Sequence, residues 1–189
     1  MENTLVFIDA GFLSKLSKHF GDGKYLIYDL IEFPKCISKK QNLFCEKTFY
    51  YTAPPFISDK PSEKEIKKKK DYDNFIAKLS KNKDFIIREG RCQRLKIDGQ
   101  FNYKQKGVDS LAVIDLVNSI IDYPQIKKII LIASDTDFVP IIKDLQENYK
   151  IKVILVYFTD KRRKSAFSLS NHLWNICKDK ILIKKEYFY

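Results

Sequence analysis

The stretch Ile129-Ile-Leu-Ile-Ala-Ser-Asp-Thr-Asp-Phe-Val-Pro140 decides the fold. Its first five residues are apolar without alternation, the pattern of a strand covered on both faces rather than half-exposed to water. Phe138, Ile141, Ile142 and Leu145 then recur at helical spacing. Pro140 suits the first turn of that helix, where a missing N–H costs nothing. The chain opens in the same way: Thr4-Leu-Val-Phe-Ile8 reaches Asp9 and passes at once into Phe12, Leu13, Leu16 and Phe20 at helical spacing.

Working outward, short β-branched runs keep alternating with helical patterns. Tyr25–Tyr28 leads into Asp29, read as an N-cap, and a short segment with Leu30, Ile31 and Phe33 that Pro34 limits or bends. Lys47–Ala53 reads as a strand closed by Pro54-Pro55, and Ser62–Ser80 as a helix with Ile66, Tyr72, Phe75, Ile76 and Leu79 on its stripe. Phe85-Ile-Ile and the residues after it, the turn Asp98-Gly99 and Phe101–Gln105 predict a β-hairpin. Val108, Leu111, Ile114, Leu116, Val117, Ile120 and Ile121 predict a helix; Ile151–Val156, a helix near Ser165–Cys177 and a strand at Ile181–Ile183 complete the pattern. Fully apolar strands separated by helices imply an α/β fold: three layers, α/β/α, around a central mostly parallel sheet, with a hairpin excursion. No linker divides the 189 residues, so one domain is expected.

Hydrophobic residues make up 44% and Gly and Pro are six each, which excludes collagen-like and largely disordered classes. Thirty-five Lys and Arg against 24 Asp and Glu leave a net charge of +11, favouring a polyanionic partner. The run Ile129–Ala133 falls far short of the roughly 20 residues of a membrane helix. With no basic leader before Leu5–Ile8, no membrane association and a cytoplasmic location are expected. Cys36, Cys45, Cys92 and Cys177 lie far apart without CxxC spacing, so neither a zinc site nor a disulfide framework is expected.

In open parallel sheets ligands bind outside the carboxyl ends of the strands. Asp9, Asp135 and Asp137 fall at strand-to-helix turns of that end, and Asp109 sits in Lys106-Gly-Val-Asp109 where the hairpin enters its helix. Carboxylates crowded into one crevice repel, raising their pKa values, and a hard divalent ion relieves that cost. Mg²⁺ or Mn²⁺ prefers such oxygen donors and can activate water and polarise a phosphodiester. A plainer role competes at each position, because Asp also caps helices, and Thr136 or Asp137 is a candidate cap before Pro140. Asp115, inside a helix among apolar neighbours, either reaches the same crevice or pairs with a basic residue.

These motifs resemble a known family. Val6-Phe-Ile-Asp-Ala-Gly11, Lys106-Gly-Val-Asp-Ser-Leu-Ala-Val-Ile-Asp115 and Leu131-Ile-Ala-Ser-Asp-Thr-Asp-Phe-Val-Pro140, in that order around the Tyr50-Tyr51 strand, are similar to those of NYN-domain proteins, the PIN-like group that includes the bacterial LabA/DUF88 proteins. The resemblance spans about residues 3–160. It implies a metal-dependent ribonuclease using Mg²⁺ or Mn²⁺, with Asp9, Asp109, Asp135 and Asp137 as metal ligands and orienters of the attacking water. By the same resemblance Asp115 is a further ligand position, Ser134 and Thr136 let phosphate approach the backbone, and Lys106 contacts phosphate unless it is an ordinary surface lysine. Many members carry Gly-Asn or Asp-Asn after the first Asp, whereas this chain has Ala10-Gly11-Phe12. The partner implied is RNA, single-stranded by preference; a homodimer is left open. The alternative is a catalytically weak or inactive module on the same fold that binds RNA or a protein. A phosphatase of the two-aspartate type is disfavoured by Gly11, and dinucleotide binding by the lack of GxGxxG after a strand.

Basic residues outside the motifs divide into two kinds. Glu63–Lys70 has i,i+4 spacings, Glu63 to Lys67 and Glu65 to Lys69, that suit a solvated helix face. Lys161-Arg162-Arg163-Lys164 is less neutralised and is either a phosphate contact or a surface turn. Arg88, Arg91 and Arg94, with Tyr103 nearby, would track a single strand if they border the crevice. His19, His172 and Trp174 read as structural, Trp174 as core packing with Leu173 and Ile176.

Overall fold

The computed structural model describes residues 1–160, 165 and 167–189. In chain order, β1 (Glu2–Asp9), α1 (Ala10–Phe20), α2 (Glu32–Lys40), β2 (Leu43–Thr52), α3 (Glu63–Leu79) and β3 (Phe85–Glu89) make the first half. The second half holds β4 (Arg91–Ile97), β5 (Gln100–Lys106), α4 (Val108–Asp122), β6 (Lys128–Ile132), α5 (Val139–Glu147), β7 (Lys152–Tyr157), α6 (Asn171–Ile176) and β8 (Asp179–Leu182). Six strands form one sheet in the order β3-β2-β1-β6-β7-β8, parallel at every pairing. Chain order runs outward to one edge from β1 and to the other from β6. The switch point, where open α/β sheets form their crevice, therefore lies between β1 and β6.

Alternation along the strands sorts the core into two layers. Leu5 and Phe7 join Phe49, Leu116, Leu131, Ile142 and Leu155 on the face covered by α4 and α5, where the Phe7 and Phe49 rings stack at 4.8 Å. Val6 and Ile8 join Phe12, Leu16, Ile37, Ile130 and Val156 on the face covered by α1 and α2. His19 is structural, its ring edge-on to Phe20, Phe158 and Phe167.

Several boundaries differ from expectation. Pro34 does not end α2. It lies in the first turn, before any intrahelical N–H bond is due, and the helix continues to Lys40. Asp29 Oδ1 accepts from the amides of Ile31 and Glu32 just ahead of that helix. On α3, Glu65 turns back to complete a capping box with Ser62, and Lys69 pairs with Asp73 instead. Phe85–Glu89 joins the main sheet beside β2, leaving β4 and β5 as the separate antiparallel hairpin. Its turn has positive φ at both Asp98 and Gly99, the geometry that Asp-Gly favours. The last helix shrinks to Asn171–Ile176, and Trp174 is half exposed, edge-on to Tyr157 with Lys180 over its ring, while Leu173 takes the buried place. The four cysteines are free, and no described helix is long and apolar enough to cross a membrane.

Candidate functional site

The site is built on the two strands that flank the switch point. Ile8 of β1 pairs with Ile132 of β6, so Asp9, one step on, falls level with Ala133 and two residues from Asp135. Strand spacing then keeps the Cα atoms of Asp9 and Asp135 no more than about 12 Å apart, at the same rim. Each caps the helical turn after it. Asp9 Oδ1 accepts from the Gly11 amide at 2.8 Å at the start of α1, and Asp135 Oδ1 from the Asp137 amide at 2.9 Å at the start of a short 3-10 turn, Thr136–Phe138. Asp135 caps that turn, while the helix of Pro140 begins after Phe138 with no side-chain cap, so neither Thr136 nor Asp137 caps it. Capping occupies one lobe of each carboxylate and fixes its orientation at the rim.

Asp109 enters from a different direction. It lies in the first turn of α4, which packs beside the Thr136–Phe138 turn. Its corner is tight, because a Cβ on Gly90 would lie 2.4 Å from the Lys106 carbonyl and 2.8 Å from Val108 Cγ2. Only glycine at position 90 lets the end of β3 pass so close beneath the hairpin as it turns into α4.

Electrostatics tie the four aspartates together. Burial raises the Asp9 carboxyl above its ordinary value and Asp109 raises it further, against lowering by the Phe12 and Gly11 amides and Lys15. Burial also raises Asp109, with the charges of Asp135 and Asp137 adding to it. Ser134 is partly buried, and Asp135, Thr136 and Asp137 are exposed at the mouth. Lys106 ends β5 in the open. Arg162 and Arg163 lie outside the described residues.

Asp115 takes the second of its two readings. Arg88 grips it with two bonds, Nε to Oδ2 at 2.8 Å and Nη2 to Oδ1 at 2.7 Å, and the Tyr51 hydroxyl donates to Oδ2 at 3.1 Å. Both oxygens are committed, and the carboxylate is 4% exposed. Arg88 is therefore not part of a strand-tracking row with Arg91 and Arg94. It sits on β3, opposite Tyr51 of β2, and turns inward beneath α4. The sequence carried no signal for this pairing beyond a buried acid in need of a base.

The donor set at the rim is all hard oxygen, suiting Mg²⁺ or Mn²⁺ better than zinc. Mutual repulsion is the condition a divalent cation relieves, so donor type and charge fit the ion. Among the described residues, no three acidic, His or Cys side chains converge as they stand.

Comparison with known proteins agrees with this architecture. A protein of unknown function from Vibrio parahaemolyticus, known from its crystal structure, is similar at a TM-score of 0.59 and 15% identity, over 100% of this chain and 96% of that one. At such identity the likeness concerns the fold alone. No curated protein matches the sequence. The family model of the NYN domain matches residues 3–177, a span that holds all the rim aspartates. With nearly its whole length matched, the chain belongs to the NYN domain family, a family of nuclease-like domains.

Proposed function

We propose that this protein hydrolyses phosphodiester bonds in single-stranded RNA at the rim between β1 and β6, with Mg²⁺ or Mn²⁺ as cofactor. The observation that carries the reading is the register of β1 on β6, which sets Asp9 and Asp135 at one rim of the switch point, with Asp109 raised by burial and by the charges of Asp135 and Asp137, in a chain of net charge +11. Asp9, Asp109 and Asp135 would hold the ion, with Asp137 at the mouth. When bound, such an ion lowers the pKa of a coordinated water and polarises the phosphoryl oxygen. The protein's own part is to fix Asp9 and Asp135 through their caps, to bury Asp9, and to leave Ser134 and Thr136 small beside the approaching phosphate.

A second reading, an RNA-binding module without turnover, is favoured by the separation of the side chains and by Gly11 where many relatives have Asn. One experiment divides the two. Purified protein is incubated with single-stranded RNA and Mn²⁺ or EDTA, beside Asp135→Asn. Cleavage that needs the cation and falls about a hundred-fold or more in the variant, about 2.7 kcal/mol of barrier, supports hydrolysis. Binding without cleavage across several substrates supports the module. Cleavage indifferent to both EDTA and the variant marks a contaminant and removes the support for hydrolysis.

A further inference from the structure

The hairpin contributes little to the core. β4 and β5 pair only with each other, and every residue of β5 is exposed. Directly paired residues share a face, which here carries Cys92 with Gln105, Arg94 with Tyr103, and Lys96 with Phe101. The Arg94 guanidinium lies 4.5 Å from the Phe101 ring centre and 4.6 Å from that of Phe56, and Phe56 is 5.9 Å from Tyr103. The cation holds the rings in place. Phe101 and Tyr103 nevertheless remain 55% exposed each, so that about half of each ring stays open to a ligand.

Charge on the hairpin is nearly all of one sign. Arg94 and Lys96 lie on the ring face and Arg91, Lys104 and Lys106 on the other, with Asp98 the hairpin's single acid, and among the described residues none of the five forms an ion pair. Arg91 and Lys106 are directly opposite each other, a like-charge pairing that destabilises the ladder unless an anion lies between them. The aromatic face also leads to the rim. Gln105 Oε1 is 3.7 Å from where a Cβ on Gly11 would stand, beside the Asp9 carboxylate, and β5 ends three residues before Asp109.

The geometry points to a base-stacking platform for single-stranded RNA, made by Phe56, Arg94, Phe101 and Tyr103, that leads the strand to the aspartate rim. It rests on the functional reading above for the nature of the polymer. Open ring faces beside unpaired cations suit bases that are free to stack and a backbone that needs neutralising. A duplex offers only the backbone, because its bases already stack on one another.

Binding is measured in EDTA, so that cleavage plays no part, by fluorescence anisotropy of a labelled mixed-sequence RNA of about 12 nucleotides, alone and annealed to its complement. The single strand should bind at least about tenfold tighter than the duplex. The double variant Phe101→Ala/Tyr103→Ala should weaken single-strand binding by about tenfold or more, while the protein stays folded with a melting temperature lowered by only a few degrees, because the hairpin lies outside the core and each ring is about half exposed. Phe101→Trp/Tyr103→Phe should restore it. Equal affinity for strand and duplex, or full binding by the alanine variant, overturns the platform; the second result would leave the open β5 edge to a protein strand. If binding follows this pattern but Mn²⁺ elicits no cleavage, the platform stands and hydrolysis fails. Cation-dependent cleavage with ring-independent binding does the reverse.

Discussion

Asp9 serves two ends that oppose each other. Its carboxylate caps α1 through Gly11, which Asn would do as well, yet as a charge it is buried beside Asp109. Because its folded pKa is raised above the ordinary 3.8, ionising it costs stability as pH rises from 3.8 through the raised value, and the cost is complete above it. Asp9→Asn should therefore melt higher than the natural protein once pH lies above the raised value, with the two converging as pH falls toward 3.8. Mn²⁺ should raise the melting temperature of the natural protein and leave that of the variant unmoved. Cleavage should rise as pH passes through the same raised window. The Asp115 cluster predicts the opposite sign. Arg88→Met strands a buried carboxylate and should destabilise by about 2 kcal/mol, moderated because Arg88 is 45% exposed; Tyr51→Phe removes a single bond and should cost about 1 kcal/mol, both read from urea midpoints. Residues were legible unequally. The rim aspartates declared themselves because strand ends are readable and polar residues stand out there. Arg88 did not, since its partner lies on another element 27 residues away and alternation alone cannot say which face of β3 looks toward α4.

At the scale of elements, periodicity found the strands and long helices because burial on both faces leaves no polar gaps. It failed where local chemistry overrides pattern. Pro34 looks like a stop but sits in a first turn, and the apolar residues near the C-terminus overstated α6. The hairpin's independence was hidden too, because Phe85–Glu89 and Arg91–Ile97 are separated in sequence by Gly90 alone. That glycine is the joint between sheet and hairpin. Gly90→Ala must displace the Lys106 carbonyl, which stands 2.4 Å from the added Cβ, and so moves the corner carrying Asp109. The expected cost is about 1–3 kcal/mol, with loss of cleavage out of proportion to loss of fold, measured by comparing melting temperature with activity. Ser62→Ala, by contrast, breaks only the capping box of α3 and should lower stability by about 1 kcal/mol without touching activity.

Over the whole molecule, alternation of strands and helices implied a parallel three-layer sheet, but it did not fix the strand order. The pairing of β1 with β6 brings the first and last acidic motifs together, and no local pattern records it. The charge is likewise a property of the whole chain, and its +11 does not say where a polyanion docks. Neutralisation separates the surfaces. Lys69 on α3 is paired with Asp73, and Glu63 and Glu65 share that helix's first turn, whereas the five hairpin cations meet one acid. If those five contact phosphates, the logarithm of affinity for single-stranded RNA should fall with the logarithm of salt at a slope near −3.5, about a hundred-fold between 50 and 200 mM. Lys104→Gln/Lys106→Gln should reduce the slope by about 1.4, since each lost contact removes about 0.7. Lys64→Gln/Lys67→Gln on α3 removes the same charge from the chain and should leave the slope as it was. Equal loss from both pairs would mean that net charge alone holds the RNA, and a flat salt response would mean that the hairpin is not where it docks.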